Sequence, residues 1–196
     1  AKHDIESGLK THEKLGNIKG HATIGEARNH VVANWAQGDG SKIMLAHTRA
    51  DVKSLNESAR AIMREQGHLK GEDVKVVTKD GNINLAQGEQ IAFGTPNKQI
   101  GVVNGTRGTI EGIEQTKDGK MLNVQVGSKE RSDIKRVDLN EYNDIKYNYA
   151  TTVHKAQGVT VDRAYVLASD SMSANLAYVA NTRHKEQSQI QYTKEQ

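Results

Sequence analysis

The apolar pattern of this chain changes period twice, and that change constrains the fold more than any single motif. Between Ile24 and Trp35, residues Ala27, Val31 and Trp35 recur four apart, with Ile24 and Val32 close to the same stripe. That is the spacing of one helix face. Gly38-Asp39-Gly40 ends it in a turn, and Lys42-Ile43-Met44-Leu45-Ala46 follows as a short apolar run suited to a buried strand. From Thr48 to Gln66 the helical period returns at Val52, Leu55, Ala59, Ile62 and Met63, with Gly67 as its stop. Residues 1–37 as a whole read as mainly helical. Helix, strand, helix is the rhythm of a parallel sheet.

From Val74 to Val137 the period shortens and glycine punctuates it. Asp80-Gly81 and Asp118-Gly119 are hairpin signals, because Asp-Gly pairs suit tight turns between antiparallel strands. Between them lie the strand-like runs Gln90–Phe93 and Gly108–Ile113, and after the second comes Leu122–Val126. Short strands with tight turns fit a small β-barrel of SH3-like or OB-like kind. Gly101, Gly105 and Gly108 are placed for tight turns and close backbone approach. The last third returns to the first pattern. Tyr149–Val153 reads as a strand opening into a loop, Arg163–Ala168 as a buried strand, and Ser173–Asn181 as a short helix. The expected architecture is an α/β domain interrupted by a β-barrel.

Hydrophobic residues make up only 35% of the chain, so a packed core depends on their concentration in these runs. No window approaches the roughly 18 consecutive apolar residues of a membrane span, and Ala1-Lys2-His3-Asp4-Ile5 lacks a positive-then-apolar leader pattern. The absence of cysteine excludes a disulfide framework or a Cys-based zinc site and fits a reducing cytoplasm. None of the eight histidines forms a His-x-His cluster or an H-E-x-x-H motif, so no metal site is expected. A net charge of +3 and a pI near 9.0 permit a nucleic-acid partner without requiring one.

Chemistry concentrates in two segments. Thr151-Thr152-Val153-His154-Lys155-Ala156-Gln157-Gly158-Val159-Thr160-Val161-Asp162 is a strand end opening into a loop that carries hydroxyl, imidazole, ammonium and amide groups. Phosphate oxygens accept hydrogen bonds from all of these. By composition alone the segment is more often a solvated loop on an ordinary α/β domain. Tyr178-Val179-Ala180-Asn181-Thr182-Arg183-His184-Lys185-Glu186 places Arg183 after an apolar run. An isolated arginine there pairs more often with a surface carboxylate than with a phosphate.

Taken together, in this order and spacing, the segments resemble motifs V and VI of superfamily 1 helicases. The wording is that of the RecD-like branch, T-V-H-K-S/A-Q-G followed by Y-V-A-x-S/T-R. Upstream, Ile43–Asn56 resembles the strand and helix that hold motif IV. Gly88–Phe93 and Gly101–Ile110 look like the start of the small SH3-like domain that this branch inserts before motif V. With Val161–Ser169 included, the chain is most similar to TraA-type conjugative relaxase/helicases, over roughly residues 20 to 192. Asn181 stands where the family usually carries an apolar residue.

The resemblance implies a RecA-like parallel-sheet domain, the second of a motor, interrupted by an SH3-like β-barrel. Its first part would be residues 1–78, the barrel 79–145, and the remainder with motifs V and VI 146–196. It implies Arg183 as the catalytic arginine finger, with Thr152, His154 and Lys155 on single-stranded DNA. Gln157 and Gly158 would lie toward the nucleotide, as would Arg49, which is as readily a surface residue at a helix start.

The sequence has no G-x-x-x-x-G-K-S/T loop to cradle phosphates. Gly38-Asp39-Gly40-Ser41-Lys42 echoes one but lacks the spacing and precedes a strand. Ala164–Ser169 with Asp170 imitates a Walker B strand, yet no Glu follows. ATP and Mg²⁺ are therefore expected only in a complete motor, with an N-terminal RecA-like domain and a relaxase domain supplied on the same or a separate chain. The alternative class is a non-catalytic fragment that binds single-stranded DNA or a protein. Such platforms offer stacking aromatics, and Tyr142, Tyr147 and Tyr149 are the only cluster, more simply explained as packing.

Overall fold

The computed structural model describes residues 18–128, 131–168 and 187–193. In chain order the elements are β1 (Ile18–His21), α1 (Ile24–Gln37), β2 (Lys42–Ala46), α2 (Arg49–Glu65), β3 (Lys70–Thr78), β4 (Gly81–Gln87) and β5 (Gln90–Phe93). There follow β6 (Arg107–Gln115), β7 (Lys120–Ser128), β8 (Arg131–Asp138), β9 (Ile145–Tyr147), β10 (Ala150–Thr152), β11 (Arg163–Ala168) and β12 (Gln187–Thr193). They divide into two compact units. One joins the segment up to Ala59 with the segment from Tyr149 onward, and the other is Arg60–Asn148.

The first unit is built on an all-parallel sheet in the order β1-β12-β11-β2-β10. Its central strands read as continuous apolar runs because a parallel sheet is covered on its faces; Ile43, Met44, Leu45, Ala46 and Ala164–Ala168 are all buried. Helix α1 starts at Thr23, whose hydroxyl accepts from the Glu26 N–H at 3.1 Å, and the Glu26 carboxylate accepts from the Ala22 N–H at 3.2 Å. It packs Ala27, Val31, Val32 and Trp35 inward. Ile24, expected near that stripe, is exposed; the buried face begins one turn later. The α1 carbonyls end on Lys42, whose ammonium donates to Gly38 O at 2.7 Å and sits 4.7 Å from the Trp35 ring centroid. Burial pushes this lysine below its usual pKa.

Helix α2 opens on Thr48. Its hydroxyl accepts from the Asp51 N–H at 3.1 Å and donates to the Asp51 carboxylate at 2.7 Å, and Arg28 reaches the same carboxylate at 3.2 Å. The helix ends at Gly67, left-handed at φ +75°, with the His68 N–H on Met63 O. Only Leu55, Asn56 and Ala59 are buried along it; Val52, Ile62 and Met63 are half-buried. Asn56 clasps strand β10 through both peptide groups of Ala150: its Nδ2 donates to Ala150 O at 3.2 Å and its Oδ1 accepts from the Ala150 N–H at 2.9 Å.

The Arg60–Asn148 unit is antiparallel. Strands β3 and β4 form a hairpin, and five strands pair in the order β8-β7-β6-β5-β9. Val76 and Leu85 from the hairpin share one core with Ile91, Phe93, Ile110, Leu122, Val124, Val137 and Ile145 of the sheet. Gly108 permits the close approach of β6 and β7: a Cβ there would lie 2.5 Å from Val124 Cγ1 and 2.9 Å from Gln125 O. Gly101 and Gly105 take positive φ, +76° and +85°, in the loop before β6.

The unit begins earlier than residue 79. Strand β3 pairs with β4 across the Asp80-Gly81 turn, and Arg60, near the end of α2, holds Asp73 bidentately at 3.2 and 2.7 Å. Arg60 Nε also donates to the fully buried Glu89 at 3.1 Å. Burial pulls the Arg60 guanidinium down, but its hydrogen bonds to Asp73 and the Glu89 charge more than offset this and leave its pKa raised.

One expectation needs correction. Ile18–His21, read as part of a helical stretch, is a parallel edge strand, because β12 supplies the partner that the local sequence does not reveal. Strand β12 itself carries no strong local signal. The expected helix at 173–181 lies outside the described residues.

Candidate functional site

Strands β10 and β11 flank β2 in the sheet, so the chain between them must cross over β2. It does so with turns instead of a regular helix. The sequence explains how. Val153 and Val161 are buried in the same core cluster as Ile43, Leu45 and Val166, with Ala156 and Val159 packed against it. Between them His154, Lys155, Gln157, Gly158 and Thr160 are exposed. The apolar residues hold the crossover down on the sheet while the polar ones face solvent.

The entry end is fixed by register. Thr152 pairs with Ala46, and the Val153 N–H donates to Ala46 O at 3.1 Å. The Thr152 hydroxyl then accepts from the Lys155 N–H at 3.3 Å, and the Ala156 N–H from one turn on donates to Thr152 O at 3.1 Å. Gly158 turns the loop back at φ +83°, with no neighbour within 4 Å of a Cβ, so the backbone angle and not crowding favours glycine there.

Arg49 is the first residue of α2 and is exposed. It follows the carboxyl end of β2, as His154 follows Thr152 at the carboxyl end of the neighbouring β10. The structure thus brings the Arg49 segment and the start of the loop to one edge of the sheet, the edge where parallel α/β sheets place their ligands. Gln157 and Gly158 lie further along the same loop. Arg183 lies outside the described residues. Among the described residues, no group of three or more His, Asp or Glu side chains is gathered to hold a metal, and no helix is long and apolar enough to cross a membrane.

The three tyrosines pack. Tyr149 is fully buried with its ring edge-on to Trp35 at 5.6 Å. Tyr142 tilts against Phe93 at 5.8 Å and donates to Thr95 O at 2.7 Å. The Tyr147 hydroxyl donates to Asn84 O and accepts from the Asn84 N–H. None is set out as a stacking platform.

Sequence reasoning missed the exit end of the crossover. The Asp162 carboxylate accepts from the Ser41 N–H at 2.9 Å, and the Asp162 N–H donates back to Ser41 Oγ at 2.9 Å. The Asp162 and Arg163 N–H groups also reach Ser41 O, each at 3.0 Å. Gly40 makes room, since a Cβ on it would lie 2.7 Å from Asp162 Oδ2. The partners are far apart in sequence, and no local signal links them.

A parallel sheet covered by α1, with a polar crossover and a helix start at its carboxyl edge, defines the class: an α/β domain similar to the RecA-like domains of helicases. The fold matches the Pif1 helicase from Candida albicans with a TM-score of 0.56 at 15% identity, covering 85% of this chain and 53% of that one. It matches Bacteroides Pif1 bound to ssDNA with a TM-score of 0.50 at 14% identity, covering 84% and 48%. At such identities the likeness establishes the fold alone.

In sequence, the chain is homologous over nearly its whole length to conjugal transfer proteins named TraA. It is 35% identical over 195 residues to the probable conjugal transfer protein TraA of Sinorhizobium fredii, which is 98% of this chain. The chain spans 17% of the length of that relative. No protein-family profile matches it.

Proposed function

We propose that this chain is the second RecA-like motor domain of an ATP-driven translocase that moves on single-stranded DNA in conjugative transfer, with the β-rich unit as an SH3-like insertion. One observation carries the proposal. The crossover that matches motif V buries its apolar residues and exposes His154, Lys155 and Gln157, side chains that donate to phosphate oxygens. Kinship with TraA proteins and likeness to a Pif1 bound to ssDNA support it.

In this proposal Thr152, His154 and Lys155 contact the DNA backbone, while Arg49, Gln157 and Gly158 border the nucleotide. These residues supply donors but no glycine cradle, so no ATP chemistry is assigned to this chain alone. Nucleotide and Mg²⁺ would bind against an N-terminal RecA-like domain carrying a P-loop, and Arg183 would stabilise charge on the transferring phosphoryl group. A relaxase domain would accompany the motor in the cytoplasm.

Fluorescence anisotropy of a labelled oligo-dT strand with the full chain tests the DNA contact. Weak binding without sequence preference is expected, with log K falling by about 0.7 per log salt for each phosphate contact. Lys155→Ala should remove about one such contact from the slope. Tight, salt-insensitive binding to one sequence would contradict the proposal, as would an unchanged slope in Lys155→Ala.

A further inference from the structure

The crossover is pinned at two points on the same strand, and the second pin is built around Asp162. Entry is held at Ala46, the carboxyl end of β2. Exit is held at Ser41, the residue just before the amino end of β2, through the carboxylate and backbone bonds of Asp162. Between the pins the described backbone has only turns, such as the Val159 N–H on Ala156 O at 3.0 Å. A segment without a continuous hydrogen-bond ladder keeps its shape only if its ends and its apolar contacts fix it. The Val161 side chain supplies apolar contact beside the exit, and the reciprocal clasp with Ser41 supplies direction.

We propose that Asp162 is a positioning residue for the crossover: its clasp on Ser41 sets the angle at which His154 and Lys155 are presented to a phosphate backbone. This rests on the reading of the crossover as a DNA-contacting segment. The polar side chains are displayed on the outer side of a loop whose shape is determined at its ends. Freeing the exit lets the outer side chains fall out of register with successive phosphates.

Simple electrostatics makes the opposite prediction. Removing a carboxylate near a polyanion strengthens binding, whereas loss of positioning weakens it. The sign therefore separates the two effects.

The test uses the full chain and a labelled oligo-dT strand titrated across salt, for wild type, Asp162→Ala, Asp162→Asn and Lys155→Ala. Trp35, the only tryptophan of the chain and packed on Tyr149 in the same unit, reports folding. Asp162→Ala should bind about five- to tenfold more weakly and lose about 0.7 from the salt slope. Asp162→Asn, whose amide oxygen can still accept from the Ser41 N–H, should recover most of both. A folded Asp162→Ala that binds as tightly as wild type or tighter, while Lys155→Ala weakens binding, overturns the positioning role and leaves the DNA reading standing. If Lys155→Ala is also without effect, both fall together. An Asn variant as weak as Ala also overturns the clasp. Should Asp162→Ala fail to fold, Ser41→Ala, which removes only the Oγ acceptor, replaces it. Faster amide exchange confined to 153–161 together with a smaller salt slope then supports the proposal, and unchanged exchange overturns it.

Discussion

The two units solve the same problem, holding short strands together, by opposite means. In the parallel unit, strands that pair are distant in sequence, and each needs a crossover to reach its neighbour. Its specific polar contacts are long-range clasps: Asn56 on Ala150, Asp162 on Ser41, His21 on Gln191 at 2.6 Å. In the antiparallel unit most pairing strands are consecutive in sequence, and a charged cluster of Arg60, Arg64, Asp73 and Glu89 ties the end of α2 to the hairpin. Crossovers leave polar loops at the carboxyl edge of a sheet, and hairpins do not. All the candidate contact residues described here fall in the parallel unit.

The largest expected effect breaks the antiparallel unit and spares the loop. Arg60→Ala removes the guanidinium from a carboxylate that is fully buried, and such a deletion costs about 3–5 kcal/mol. Urea unfolding should show it, and amide exchange should rise in β5 and β6 more than in β2 and β11. Replacing Arg60 and Glu89 together by Met and Leu should cost much less, because no buried charge is left behind. Equal losses in the single and double variants would show that the ion pair is not what holds this region.

A smaller effect belongs to the parallel unit. Asn56→Ala strips both hydrogen bonds from the Ala150 peptide groups, and leaving buried polar groups unsatisfied costs about 1–3 kcal/mol. Because Ala150 opens the strand that leads into the crossover, DNA affinity should drop as well. A variant that loses stability but keeps full DNA affinity would separate β10 from the loop's function.

The smallest is a pH effect. Hydrogen bonds from Arg60, with help from Arg64, hold the Asp73 carboxyl below its usual range. Its folded pKa thus lies below the unfolded value of about 3.9. The stabilisation is fully present above that value and is lost as pH falls through the folded pKa. Since Asp73 is partly exposed, solvent screening keeps the contribution modest. Urea midpoints taken from pH 5 down to pH 2 should fall less steeply in Asp73→Asn than in wild type. Identical profiles would assign the acid sensitivity to other groups.

Local physics made much of this fold legible. The strand Lys42–Ala46, the helix after Thr48 and its stop at Gly67, and both Asp-Gly hairpins follow from periodicity and turn chemistry, and each is found where it was expected. What failed was non-local. Strand β1 exists because it pairs with β12, and β12 because it lies between β1 and β11; short strands of mixed polarity show little alternation of their own. For the site, the polar residues of the crossover could be read from one segment. The clasp of Asp162 on Ser41 could not, because an Asp before an apolar run is common and its partner lies 121 positions away in sequence.

The central proposal is that this unit would complete a motor whose P-loop lies in another domain, and Arg183 tests it most directly. A guanidinium offers two parallel donors to phosphate oxygens, a geometry that a lysine ammonium cannot reproduce. The measurement is steady-state ATP turnover and nucleotide affinity, in protein that joins this chain to its P-loop domain, for wild type, Arg183→Lys and Arg183→Ala. Both variants should lose most of the turnover while nucleotide affinity changes far less, since such an interaction is strongest in the transition state. An Arg183→Lys protein that hydrolyses ATP at near wild-type rate would contradict the assignment, and an assembled wild type that binds single-stranded DNA without turnover would favour a binding module instead.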